Sequence, residues 1–184
     1  MALMDSREEN LSRAVSASSR RKILRLLVGQ ELTVKEIAAK NGQSISLTSR
    51  HLTFLHDLGF LHSAKRFPHK FYSLKNRELA SLLELYDQVI AKNYDSHNEE
   101  KLVRGISASS RRQLLRSLIS KEKTVKELAQ ETNQSVSLTS RHLTLLHDLG
   151  FLQVRKEFPH KYYSLKIKEL IPLLQVYDLV IKKI

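Results

Sequence analysis

Two matching polar surfaces carry the chemistry this chain can do. Within Ser44–Leu61, residues Ser46, Leu47, Ser49, Arg50 and Thr53 fall on one side of a helical repeat, and Ser137, Leu138, Ser140, Arg141 and Thr144 repeat them without change. A guanidinium on such a face can bind guanine bidentately or grip a phosphate. The hydroxyls can contact phosphate or either base type, and Leu47 can touch a thymine methyl. Small side chains around one arginine let the face enter a major groove without steric conflict. Two other arrangements stay open from the residues alone: Leu47 packed internally, and Arg50 paired with an acid such as Asp57.

A second group of residues is suited to phosphate. Lys65, Arg66, His69 and Lys70 lie in a short alternating stretch, and Arg155, Lys156, Glu157, His160 and Lys161 lie in its counterpart. A basic hairpin of this kind runs along a nucleic-acid backbone or reaches into a minor groove; a solvated hairpin tip is the plainer alternative. Glu157 stands where the first copy has Arg66, and Arg155 where it has Ala64. The two hairpins are therefore expected to bind with different strength. Lys35 and Lys126, with the amides beside Thr33 and Thr124, sit at the starts of two predicted helices, where anions are favoured.

These surfaces belong to a duplication. Residues 11–93 align with 102–184 at a constant offset of 91 and without a gap. Domains are expected at 1–93 and 94–184, with little linker beyond Asn93, Tyr94 and Asp95. The net charge is +12; each aligned copy carries +8 and the lead-in segments together carry −4. Both copies are thus basic, which favours a polyanionic partner for both. There is no cysteine, which excludes disulfides and thiolate metal sites. His51, His56, His69, His142, His147 and His160 recur at matched positions, but no ligand cluster accompanies them, so no metal or cofactor is expected. No apolar run approaches the ~18 residues of a membrane span, and no signal segment opens the chain. The expected setting is the cytoplasm, with the protein associated with the nucleoid.

Periodicity supplies the elements that position these groups. Ser6-Arg7-Glu8-Glu9 and Ser96-His97-Asn98-Glu99 read as capping boxes that open a short first helix in each copy. A second helix carries Ile23, Leu24, Leu27 and Val28, and Gly29 ends it. Thr33-Val34-Lys35-Glu36 opens a third. Asn41-Gly42 then turns the chain, and Asn133 takes the same left-handed place in the second copy. The next helix starts near Ser44 or Ser46. It turns Leu52, Leu55 and Leu58 inward, with Ile45 and Thr48 at the near end, and Gly59 ends it. An alternating stretch, a Pro68-His69 turn and a returning strand form a hairpin. The final helix, Asn76 to Lys92, has a stripe of Leu79, Leu82, Leu83, Tyr86, Val89 and Ile90 that is too wide for a lone surface helix; Pro172 suits only the first turn of its counterpart. The expected fold is mainly α with small β-hairpin wings, in two tandem winged helix-turn-helix domains.

In that order, Arg20-Arg21-Lys22-Ile23-Leu24, Thr33-Val34-Lys35-Glu36-Ile37-Ala38, Ser49-Arg50-His51-Leu52, Leu58-Gly59-Phe60-Leu61 and a basic hairpin ending Tyr72-Ser73-Leu74 resemble the ArsR-type winged helix-turn-helix regulators. Arg111-Arg112, Thr124 to Ala129, Ser140-Arg141-His142-Leu143 and Tyr163-Ser164-Leu165 repeat the pattern. The resemblance implies a transcription regulator whose paired arginines pack or form ion pairs within the domain. Where the family has Asp-Pro-Thr before those arginines, this chain has Ala17-Ser18-Ser19, which is expected to keep a helix cap. Family metal sensors use cysteine pairs, or Asp and His on the terminal helix. Those residues are missing here, so that role does not carry over.

The leading expectation is a double-stranded DNA-binding protein, a transcription regulator reading two similar half-sites. The alternatives are an architectural DNA-coating protein of low sequence specificity and a winged-helix protein-interaction module. A homodimer through the terminal helices is a further candidate partnership. No glycine-rich phosphate loop, nucleophile motif or metal-ligand spacing suggests an enzyme.

Overall fold

The computed structural model describes residues 2–91 and 98–183. The first copy contains helices α1 (Ala2–Ser16), α2 (Ser18–Leu26), α3 (Val34–Asn41), α4 (Ile45–Asp57) and α5 (Glu78–Ala91), with strands β1 (Leu32–Thr33), β2 (Leu61–Arg66) and β3 (His69–Leu74). The second repeats them as α6 (Asn98–Ile106), α7 (Ser109–Ser117), β4 (Lys123–Thr124), α8 (Val125–Glu131), α9 (Val136–Asp148), β5 (Leu152–Glu157), β6 (His160–Leu165) and α10 (Leu170–Lys183). Each copy is a winged helix-turn-helix. By compactness the residues group as Met1–Leu85 with Val176–Ile184, and as Tyr86–Gln175. The C-terminal part of each terminal helix is therefore grouped apart from the repeat that encodes it.

The core of each copy follows the predicted stripes. Ile23, Leu24, Leu27, Ile37, Leu52 and Leu55 are buried, as are Leu114, Leu115, Leu118, Leu128, Leu143 and Leu146. Thr48 and Thr139 are buried with them. Ile45 is not: it is 53% exposed, because it stands at the first turn of α4, beyond the reach of the core. Val28 is likewise exposed, in the turn after α2, and Leu58 follows the end of α4 and is half-buried. The terminal-helix stripes are buried within the single chain, including Tyr86, Val89, Tyr177, Val180 and Ile181. Pro172 lies in the first turn of α10, which needs no later start or kink there.

The turn signals act as read, with two exceptions. Gly42 (φ 64°) and Asn133 (φ 53°) both take the left-handed region after α3 and α8. At the end of α4, Gly59 N–H donates to the His56 carbonyl at 2.9 Å and Phe60 N–H to the Leu55 carbonyl at 3.0 Å. This is a Schellman closure around a residue with φ 84°. The first exception is Ser6, which lies inside α1 and caps nothing at its start; Ser96 and His97 of the matching box lie outside the described residues. The second is the cap before the paired arginines. Ala17 and Ala108 occupy the N-cap position, and neither helix has a side-chain cap bond.

The arginines close that junction from the other side. Arg21 and Arg112 are 2% and 1% exposed. Arg112 donates to the carbonyls of Ile106 (2.5 Å) and Ser107 (2.9 Å), and Arg21 donates to that of Val15. Arg20 donates to Ala14 (3.2 Å) and Arg13 (2.6 Å), and Arg111 to Gly105 (3.1 Å) and Arg104 (2.7 Å). A helix leaves its last carbonyls without internal partners. Here the next helix supplies the donors, which fixes α1 on α2 and α6 on α7.

The hairpins form the wings. Their turn is Phe67-Pro68, with Arg66 opposite His69, so the predicted turn falls one residue earlier and His69 opens the return strand. Each wing sheet gains a strand absent from the sequence reading: β1 pairs with β3, and β4 with β6. Among the described residues, no helix is long and apolar enough to cross a membrane.

Replacing Arg112 by Met keeps the volume and removes the donors. Urea denaturation of the full chain should then show a loss of about 1–3 kcal/mol for the carbonyls left buried without partners. An unchanged midpoint would show that the junction does not depend on them.

Candidate nucleic-acid interface

The α4 face is built by its cap and its inner stripe together. Ser44 Oγ accepts the Leu47 N–H at 3.2 Å and starts the helix, and Ser135 does the same for Leu138. With Thr48, Leu52 and Leu55 buried, the other side must face outward. Ser46, Ser49, Arg50 and Thr53 line one open surface depression with Ile45, Phe54 and Asp57. Ser137, Ser140, Arg141 and Thr144 line its counterpart with Leu145 and Asp148. Leu47 and Leu138 stand outside the depressions but are 36% and 38% exposed, so neither is packed away inside.

Arg50 and Arg141 are exposed and have no ion-pair partner among the described residues. Asp57 lies instead 3.7 Å from His56 Nδ1, and Asp148 lies 3.6 Å from His147. Both pairs lie at the helix end. No third ligand group joins either pair among the described residues.

His51 and His142 sit half-buried behind these arginines. Burial first, and then Arg20 and Arg50 for His51, hold the imidazole below its usual range. Burial, Arg111 and Arg141 do the same for His142, whose Nε2 lies 3.1 Å from Ser110 Oγ. In the first copy the guanidinium groups of Arg13 and Arg20 also stand 5.1 and 5.0 Å from the Phe54 ring centre. Leu145 replaces that ring in the second copy.

Capping boxes close the N-termini of α3 and α8. Thr33 Oγ1 accepts the Glu36 N–H at 3.3 Å, while Glu36 takes both the Thr33 amide and its hydroxyl at 2.7 Å. Thr124 and Glu127 repeat this arrangement. The Thr33 and Thr124 amides are thus already engaged by a carboxylate, and the exposed cations at these ends are Lys35 and Lys126.

The wing residues divide in the same way. Arg66 pairs with Glu31 at 2.8 Å and lies 5.1 Å from the Phe71 ring centre. Arg155 donates to Glu122 at 2.6 and 3.2 Å, pairs also with Glu157, and lies 4.7 Å from the Tyr162 ring centre. Although Arg66 and Arg155 are not aligned, both reach the equivalent acid of the loop before the third helix of their copy. The lysines are placed otherwise. Lys65 is directly opposite Lys70, and Lys156 opposite Lys161. Like charges facing each other across a ladder destabilise it. Both copies keep the pair, and all four side chains are exposed beside His69 and His160.

Two features at these wings escaped the sequence reading. Phe67 and Phe158, at the turns, are 93% and 100% exposed. The available signal was an aromatic retained in the turn of a charged hairpin. Lys123, at the position of Leu32, is only 7% exposed and is held by Glu131, at the position of Lys40. This coupled exchange could be read only with the pairing of β4 and α8 in hand.

Comparison with known proteins extends the description. Residues 17–63 and 108–154 each match the family described as bacterial regulatory protein, arsR family, and the two segments together span half of the chain. No curated protein matches. Among solved structures, the chain is similar to reduced HlyU from Vibrio cholerae, with 28% identity over 46% of this chain and 88% of that one and a TM-score of 0.43. It is similar to HlyU from Vibrio vulnificus, with 35% identity over 48% and 97% of the two chains and a TM-score of 0.36. It is also similar to the homodimeric winged helix-turn-helix DNA-binding domain of a possible ArsR-family transcriptional regulator from Mycobacterium bovis, with 25% identity over 52% and 88% and a TM-score of 0.45.

The histidine placement predicts a pH dependence. A folded pKa below the unfolded 6.5 means that the unfolded chain binds protons first, so stability falls as pH drops through that value. Urea midpoints measured across this range should decline, and less steeply in H51Q/H142Q. An equal slope in both proteins would contradict the assignment.

Proposed function

This chain belongs to the bacterial ArsR family of DNA-binding transcription regulators, and we propose that it reads two similar half-sites with the outer faces of α4 and α9. The observation that carries this reading is the repetition of Ser46, Leu47, Ser49, Arg50 and Thr53 as Ser137, Leu138, Ser140, Arg141 and Thr144, around two exposed arginines without ion-pair partners among the described residues. Identical readers in one chain favour related half-sites, about one helical turn apart if they face the same side of the duplex. Selectivity comes from the arginines on base edges, and affinity from Lys35, Lys65, Lys70 and His69 with Lys126, Lys156, Lys161 and His160 on the backbone.

Each repeat, 1–93 and 94–184, serves as one reading head. One chain supplies both heads, so it acts as its own pseudo-dimer on the nucleoid in the cytoplasm. The wings bind unequally, because Arg155 is held by two carboxylates and Arg66 by one.

Footprinting on genomic fragments should give a few strong sites; uniform protection would favour a coating role. Replacing Arg50 and Arg141 by Ala should weaken site binding by roughly 1–3 kcal/mol per bidentate contact and relax selectivity. Selective binding that survives the double change would overturn the assigned face. Light scattering should give the mass of one chain, free and on a single site, and a dimer mass would contradict the pseudo-dimer.

A further inference from the structure

The wing tips hold a feature that neither the fold nor the phosphate contacts explain. Phe67 and Phe158 are 93% and 100% exposed, each beside an exposed proline at the turn of its hairpin. An aromatic ring left in water forgoes the stabilisation of burial, and glycine, proline, asparagine, aspartate and serine dominate turns. At that exposure neither ring adds to the core. The strands around the tips have drifted: Arg66 has become Glu157, Ala64 Arg155 and Phe71 Tyr162. The tip itself, Phe-Pro-His-Lys, is unchanged between copies.

The charge around each ring indicates what comes to it. Lys65 and Lys70 face each other beneath Phe67, and Lys156 and Lys161 beneath Phe158, with His69 and His160 next to the tips. A polyanion relieves that repulsion, whereas an apolar protein surface would have to bury it. We propose that Phe67 and Phe158 are groove-inserting residues: each wing lays its lysines on phosphates and sets its phenyl ring in the minor groove, against sugar edges or partly between two bases. Apolar wedges on minor-groove binders act in this way and bend the duplex. The proposal rests on the DNA-binding reading above and adds to it a contact that is apolar and insensitive to salt. A·T-rich steps beside each half-site are the preferred position, because their minor groove is narrow and strongly negative.

The chain contains no tryptophan, so F67W and F158W each place a single reporter at one tip. Each full-length variant is titrated with an alternating A·T duplex, while anisotropy of a dye on the DNA reports binding independently. On binding, the tryptophan emission should shift to the blue and acrylamide quenching should fall severalfold; distamycin, which fills the minor groove, should reverse both. The F67A/F158A chain should bind the same duplex about tenfold or more weakly, as loss of aromatic stacking on a base does, with an unchanged slope of affinity against salt. Replacing Lys65 and Lys70 by Ala should lower that slope instead.

A tryptophan as accessible to acrylamide on the bound duplex as in the free chain would overturn the proposal. So would full affinity in F67A/F158A. Protection of the tryptophan without DNA, accompanied by a doubled molar mass, would assign the tips to a second copy of the chain and also overturn it. If the unsubstituted chain binds no duplex, the DNA-binding reading fails and this proposal fails with it.

Discussion

A helix ends in carbonyls that nothing inside it can satisfy, and in this protein the paired arginines of the following helix satisfy them. Arg20 and Arg21 close α1, and Arg111 and Arg112 close α6. The reading helices rest on this junction. His51 and Phe54 of α4 lie next to Arg20, and His142 of α9 lies next to Arg111 and Ser110. The guanidinium groups thus fall into distinct settings. Those at the junction are bonded to backbone, and those of the wings are tied to Glu31 and Glu122. Arg50 and Arg141 project from the reading faces without an ion-pair partner among the described residues. Net charge alone does not separate these settings; the pairing does.

Comparing the copies shows which features tolerate exchange. The wing guanidinium moves two positions along its strand, from Arg66 to Arg155, and keeps the same face and the equivalent acid. Lys123 stands at the position of the buried Leu32, and Glu131, at the position of Lys40, pairs with it. The Lys123 side chain is buried, and leaving it without Glu131 would strand a buried charge, so the two changes hold together. The scaffold is therefore replaceable in coupled pieces. Ser46, Leu47, Ser49, Arg50 and Thr53 recur in α9 without exchange, and so do the Phe-Pro-His-Lys tips. These exposed stretches stayed the same, as did the buried Leu52, Leu55 and Phe60 of the core.

Much of this was legible in the amino-acid order because it depends on near neighbours. Helical stripes, the left-handed places of Gly42 and Asn133, and the closure at Gly59 follow from spacing and backbone conformation. What was not legible depends on partners distant in the chain or on the ends of elements. β1 has two residues and no period, and it exists because β3 offers an edge. Ile45 has the spacing of a core residue but sits one turn too early. Ser6 and Glu9 have the spacing of a cap, yet α1 continues through them. The reading face was visible as a pattern; that Arg50 has no ion pair with Asp57 was not.

The account turns on two equivalent reading heads acting from one chain. Selection of the full-length protein against a random-sequence duplex pool, followed by sequencing of the bound fraction, tests that directly. The account predicts enrichment of two copies of one short motif at a single fixed separation, with A·T-rich steps flanking them. Enrichment of one unpaired motif, or of two unrelated motifs, would contradict it.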